Sequence, residues 1–274
     1  MTRPVVFDFF DFRMFLQKIF AYKKETNKNY SYRCFAGKAG FASPNFLKLV
    51  MDGDRNLTNA SIAKIAKGFG LKKKEREYFE NLVFMNQAAD HDEKNHYYLK
   101  MIAAKGSRET KKIEKAAYEY FSKWYFPAIR ELATFGNGKN SPEQIASALH
   151  PVIKPNEAKK ALLTLSNLGL IKKSKDDRWE QAHKIISTGP EVRSFLITTY
   201  HLEMIRLAGE AINRYPAEKR DISALTLSVK KERLDEIKKK IIAFKQELLE
   251  LFSTDEDPDQ VLQVNVQAFP LTKD

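Results

Sequence analysis

One cysteine, Cys34, is all the thiol chemistry this chain has in 274 residues. That excludes a disulfide within one chain and a thiolate cluster around a metal. Long apolar runs are absent too: no stretch approaches the ~20 residues a membrane-spanning helix needs. The first residues, Met1-Thr2-Arg3-Pro4-Val5-Val6-Phe7-Asp8, place an acid in the apolar stretch and lack the small-residue cleavage site of a secretory leader. These absences predict a reducing, cytoplasmic setting without membrane insertion. Catalytic signatures are equally scarce. His91, His96, His150, His183 and His201 show no metal-ligand spacing. Gly136-Asn137-Gly138-Lys139-Asn140 lacks the glycine spacing and the Lys-Ser/Thr pair of a phosphate loop. No serine sits in a nucleophile elbow. The expectation is a protein that is not an enzyme, with no cofactor and no metal.

What the chain does have is positive charge, unevenly placed. Residues 1–83 hold 16 Lys and Arg against 8 Asp and Glu, and residues 84–188 hold 18 against 12. Residues 189–274 reverse the balance, with 13 against 15. A basic excess confined to the first two-thirds attracts a polyanion there, nucleic acid before a membrane surface. With hydrophobic residues at 43% and charged residues at 30%, the chain can also bury a real core.

The first segment reads as five short helices. Phe7 to Tyr22 has apolar residues near helical spacing. Ser31 to Ala39 follows, and Gly40 suits a left-handed helix end. Ser43 is a good N-cap and Pro44 a good first helical residue, so the next helix is predicted from Ser43 to about Met51. Asp52-Gly53-Asp54 breaks it. Thr58 caps a helix carrying Ile62, Ile65, Ala66 and Phe69 that stops at Gly70, and Lys72 to Asn86 forms the fifth. Two short helices around a glycine turn resemble phage-repressor-like helix-turn-helix domains. In that resemblance the glycine precedes an apolar residue and a capping serine. Gly40-Phe41-Ala42-Ser43 has one residue more, which leaves two registers one position apart. The resemblance implies that helix 43–51 enters the major groove of double-stranded DNA. Ser43, Pro44, Asn45 and Lys48 would face the duplex, with Asn45 a candidate adenine reader. Arg55, Asn56, Arg33 and Lys38 would contact phosphates.

The middle of the chain begins with a linking helix, Gln87 to Ala104, and a loop. Tyr118 to Thr134 is predicted as an aromatic-rich helix. Ser141-Pro142-Glu143-Gln144 is a capping box with proline at the first helical position. Pro155 opens another helix, followed by Leu168-Gly169-Leu170-Ile171-Lys172-Lys173, a polar turn and Trp179. Helix, helix, strand, turn and strand resemble the winged-helix domains of bacterial regulators. A DNA-reading version would present Lys159, Lys160, Asn167, Lys172, Lys173, Lys175 and Arg178; a protein-binding or dimerising version is the alternative.

The last segment has a long helix, Glu191 to Tyr215, then a strand over Ile222 to Val229, a second long helix, Glu232 to Phe252, and a strict alternation from Leu262 to Ala268. Strand, helix and strand can form a parallel crossover unit, but two strands alone are marginal in water. A homodimer is therefore expected. Thr226, Ser228, Gln263, Asn265 and Gln267 share the polar strand faces and are candidates for a small-ligand pocket.

The predicted fold class is mainly α: a five-helix helix-turn-helix domain at 1–86, a link at 87–117, a winged helix at 118–188, and an α+β dimerisation or sensing segment at 189–274. Over nearly its full length the chain resembles a little-characterised bacterial family of paralogous proteins. These join an N-terminal helix-turn-helix to a C-terminal domain of unknown function. The pieces that carry the resemblance are Val264-Asn265-Val266-Gln267-Ala268-Phe269-Pro270-Leu271-Thr272, Ser122-Lys123-Trp124-Tyr125 and Ala128-Ile129-Arg130-Glu131-Leu132. It implies transcription regulation and brings no ligand. The expected function is sequence-specific DNA binding as a dimer, with an unidentified effector. The rival readings are a protein-interaction scaffold and an RNA-binding regulator.

Overall fold

A computed structural model describes residues 2–105, 108–136, 138–182, 190–252 and 258–273. The chain is mainly helical and divides into two units. The first comprises Met1–Lys115 and Thr188–Ser194, the second Ala116–Ser187 and Phe195–Asp274.

In the first unit, α1 (Phe12–Thr26) starts at Asp11, whose carboxylate accepts from the Arg13 and Met14 amides. That cap places the start five residues later than the apolar spacing predicts. It also rotates the buried stripe: Phe12, Phe15, Leu16 and Ile19 are inside, while Met14 is exposed. Helix α2 (Tyr32–Ala39) is capped by the Ser31 hydroxyl and ends at Gly40, φ 78°. Helices α3 (Phe46–Asp52), α4 (Asn59–Phe69) and α5 (Lys73–Gln87) follow. Thr58 and Ser61 form a reciprocal capping box on α4, worth about 1 kcal/mol. Helix α6 (His91–Ala104), capped by Asp90, packs along α5.

Helices α2 and α4 approach closely because residue 68 is glycine. A Cβ there would lie 2.7 Å from the Phe35 ring and 2.8 Å from the Ala39 methyl. Two amides at the end of α5 fix the chain between helices. Asn86 accepts from the Phe12 amide and donates to the Phe10 carbonyl. Gln87 does the same for both backbone groups of Leu57.

In the second unit, α7 (Arg108–Ser122) and α8 (Tyr125–Leu132) replace the single predicted aromatic helix, with a break at Lys123. Phe126 and Ile129 of α8 pack with Ile145 of α9 (Pro142–Ala148) and Ala158, Leu162 and Leu165 of α10 (Pro155–Leu168). The Ser141–Gln144 capping box forms as the spacing predicts. Helix α10 ends at Gly169, φ 70°, where the Leu170 amide reaches back to the Leu165 carbonyl. The strands β1 (Ile171–Lys173) and β2 (Trp179–Gln181) pair antiparallel, with Lys172 opposite Glu180. The Trp179 amide also donates to the Gly138 carbonyl at 2.8 Å. Gly138, φ 68°, allows that approach: a Cβ would stand 2.7 Å from the Trp179 oxygen.

The expected strand-helix-strand unit does not form. Helices α11 (Pro190–Arg214) and α12 (Leu234–Phe252) are present, but β1 and β2 make the one sheet among the described residues. Residues 221–229 and 258–270 belong to no strand and no ladder. Alternation gives a segment a strand's two faces but not a neighbour to bond, and a ladder needs both.

Two substitutions test this packing. Gly68→Val should lower stability by about 1–3 kcal/mol through overpacking, and Gly138→Ala should lower it through both its positive φ and the Trp179 contact. Both are read as a lower urea midpoint with the m-value unchanged.

Candidate nucleic-acid interface

A seven-residue helix is too short to hold itself, and α3 is held from one end. Its orphan C-terminal carbonyls are taken by side chains of α1. Arg13 Nε donates to the Val50 carbonyl at 3.1 Å, and Gln17 Nε2 to the Met51 carbonyl at 3.1 Å. Arg13 also reaches the Asn56 side chain at 2.8 Å. Leu47 and Val50 are buried beneath α3. The other end faces solvent, with Ser43, Asn45 and Lys48 exposed and Pro44 half-buried.

The start of α3 differs from the sequence reading. Ser43 is not its side-chain cap and Pro44 is not its first residue; the helix begins at Phe46, with Asn45 at the cap position. The Phe46 amide bonds the Ser43 carbonyl, so residues 43–46 make one tight turn before the helix. The extra residue after Gly40 goes into that turn. It also lets Phe41 stack on Phe46, ring centroids 4.4 Å apart.

The candidate contact residues fare differently. Lys48 pairs with Asp52 at 2.6 Å, one helical turn away, and its hydrogen bond to that carboxylate is the chief cause of a raised pKa. Asn56 serves Arg13. The Arg55 guanidinium lies 5.6 Å from the centre of the Phe46 ring, and Arg33 is exposed. Lys38 lies over the ring of Tyr30, whose buried hydroxyl is pushed up to about 12 by desolvation. Composition concealed two participants. Arg13 was one cation among many in the predicted first helix. Lys64 of α4 stands 5.4 Å from the Phe41 ring, a contact between helices that no local spacing reveals.

The second set lies on α10 and the β1–β2 hairpin. Three of its six cations already have acidic neighbours: Lys160 meets Glu119 at 2.9 Å, Lys172 meets Glu180 at 3.3 Å, and Lys173 meets Asp177 at 2.8 Å. Lys173 also covers the Trp179 ring at 4.6 Å. Lys159, Asn167, Lys175 and Arg178 are exposed. An open concavity of about 460 Å³ lies between the turn and the starts of α9 and α10, lined by Lys139, Lys159, Lys173, Asp176, Asp177 and Trp179 among others. Its lysines and aspartates offset one another.

The third set is not gathered into a pocket. Thr226, Ser228 and Gln267 stand in solvent. Gln263 accepts from the Tyr200 hydroxyl at 3.3 Å, and Asn265 donates to the Met204 carbonyl at 2.9 Å, so both lie along α11. Among the described residues no group of three or more His, Cys, Asp and Glu is placed to hold a metal, and no helix is long and apolar enough to cross a membrane.

The profile of a family described as a domain of unknown function, DUF4423, matches residues 104–271. The chain belongs to the DUF4423 family. That match takes in α7 to α12 and both strands, touches α6 only at Ala104, and leaves α1 to α5 outside it. No curated protein and no solved structure matches the chain.

Arg13→Ala should cost about 1 kcal/mol by removing a side-chain partner of the Val50 carbonyl while Gln17 still holds Met51. Hydrogen exchange should accelerate at residues 46–52 before the rest of the first unit.

Proposed function

We propose that this DUF4423 protein binds double-stranded DNA sequence-specifically, as a dimer, and regulates transcription. The carrying observation is α3: a short helix anchored by α1 at its C-terminal end, with its N-terminal end exposed. On this reading α2, the turn and α3 are a helix-turn-helix, and α3 enters the major groove from its free end. Asn45 is placed to meet base edges. Arg33, Lys38, Arg55 and Lys64 are phosphate contacts around it, which position the domain without specifying sequence. Helices α9 and α10 with the β1–β2 hairpin are a winged helix. The antiparallel pairing and the Trp179–Gly138 bond support that assignment. Lys159, Lys175 and Arg178 are its strongest candidates for the duplex.

One observation favours a protein-interaction scaffold instead. Lys48, in the centre of the presumed reading surface, is bound to Asp52, and Asp54 is close enough to add to the same shift. A polyanion would have to displace that carboxylate. The two readings diverge in solution. For a DNA-binding protein, Asp52→Asn releases Lys48 and removes a repulsive charge, so affinity for duplex should rise about two- to tenfold at fixed salt. Asn45→Ala should weaken binding to a selected site by about tenfold while leaving random duplex nearly unchanged. Fluorescence polarisation on fragments selected from genomic DNA reads both. A scaffold would show no salt-dependent binding and no response to Asp52→Asn.

A further inference from the structure

The second unit ends in an arm, residues 221–252 and 258–271, that buries almost nothing of its own. No residue described in α12 is buried, although about half its circumference is apolar by helical spacing. Ile237, Ile241 and Leu248 run down the middle of that face and are half-covered. On its edges, Ile242 is 62% exposed and Leu249 66%. The flanking segments are open as well. Leu225 is 81% exposed, and Leu227 and Val229 are exposed too. In 262–268, Gln263 and Asn265 bond α11, while Leu262, 74% exposed, and Val264, 47% exposed, stay open to solvent. Apolar side chains left in water on a segment already bonded to its own chain make one half of an interface.

We propose that a second copy of this chain covers the face, the two arms lying reciprocally against each other. Three observations select that occupant. The arm exposes many large apolar side chains, Leu225 at 81%, Leu262 at 74% and Leu271 at 75% among them, apolar area on the scale of the ~800 Å² per partner of a stable interface. Charge points the same way. Residues 1–188 hold 34 Lys and Arg against 20 Asp and Glu, whereas residues 189–274 hold 13 against 15. Copies repel through the former, while the near-neutral arm meets its own kind without penalty. Finally, 221–229 and 258–270 both carry backbone groups without a ladder, and a two-fold axis supplies each segment with a neighbour from the other copy.

The inference rests on the dimeric part of the reading above and not on DNA binding. A monomer that still binds duplex overturns the arm interface alone, and a dimer that ignores DNA overturns the regulator alone. Sedimentation equilibrium on the full chain, without DNA, should show a dimer at about 50 μM and a dissociation constant in the micromolar range or below. Ile242→Glu with Leu249→Glu should raise that constant at least 100-fold while helical circular dichroism is retained. A wild-type monomer at that concentration, or a folded double variant that still dimerises, overturns the proposal. Hydrogen exchange on the wild type decides the matter if the variant does not fold. Amides of 222–229 and 262–268 should gain protection as the chain dimerises, and a dimer whose arm amides exchange as fast as the monomer's overturns it.

Discussion

The grip of α1 on the end of α3 is the contact on which the candidate interface depends. Seven residues form too few internal hydrogen bonds to offset the ordering of their backbone. The helix persists because Leu47 and Val50 are buried under it and because Arg13 and Gln17 bond its last carbonyls. Holding a helix by its C-terminal end has a consequence. No side chain caps the other end, where the Phe46 amide bonds the Ser43 carbonyl, and the partial positive charge of the helix end adds to the surrounding cations. Arg13 therefore shapes the surface while touching only protein. Asn86 and Gln87, at the end of α5, fix the chain entering α1 and the residue before the Thr58 cap.

The two basic surfaces differ in electrostatic state. Around α3, Arg33, Arg55 and Lys64 are exposed, and two of these lie beside aromatic rings. A ring holds a cation in place without neutralising it. Around α10 and the hairpin, Lys160, Lys172 and Lys173 are held by carboxylates. Exposed pairs of that kind are each worth only ~0–1 kcal/mol and are readily exchanged. Replacing each with a phosphate gains less than engaging an unpaired cation. On the proposed function, the first surface is the stronger polyanion site per residue, although Lys159, Lys175 and Arg178 of the second are exposed as well.

The parts of the fold legible in the sequence are those decided locally. Thr58 and Ser141 cap the helices they precede, and Gly40, Gly70 and Gly169 end theirs, because a cap needs only its own next few residues. Ser43 failed for the same reason that others succeeded. Its residue type suits a cap, but the long turn and the Phe41–Phe46 stack move the helix start to Phe46. In α1 the spacing was ambiguous, since Phe9, Phe10, Phe12 and Phe15 offer two stripes; Asp11 and the Asn86 clamp choose between them. Arg13 and Lys64 could not be found by pattern, because what matters about them lies on another helix. The strands at 222–229 and 262–268 were read from alternation alone. Alternation specifies faces, but of the polar residues described only Gln263 and Asn265 bond the chain itself, and neither segment finds a ladder.

On the proposed function the charge distribution has a physical meaning. A chain whose apolar surplus lies in a near-neutral arm, and whose positive charge lies elsewhere, separates what attracts a copy of itself from what attracts a polyanion. Two copies joined by their arms would carry two strongly basic regions, which repel wherever they come within the ~8 Å screening length of physiological salt. A polyanion bound to both regions removes that repulsion, so its binding and the association of the copies favour each other. By linkage the coupling acts equally in both directions. On the proposed function, DNA would tighten the dimer by the same factor as dimerisation tightens DNA, and the coupling would weaken as salt screens the charges that create it.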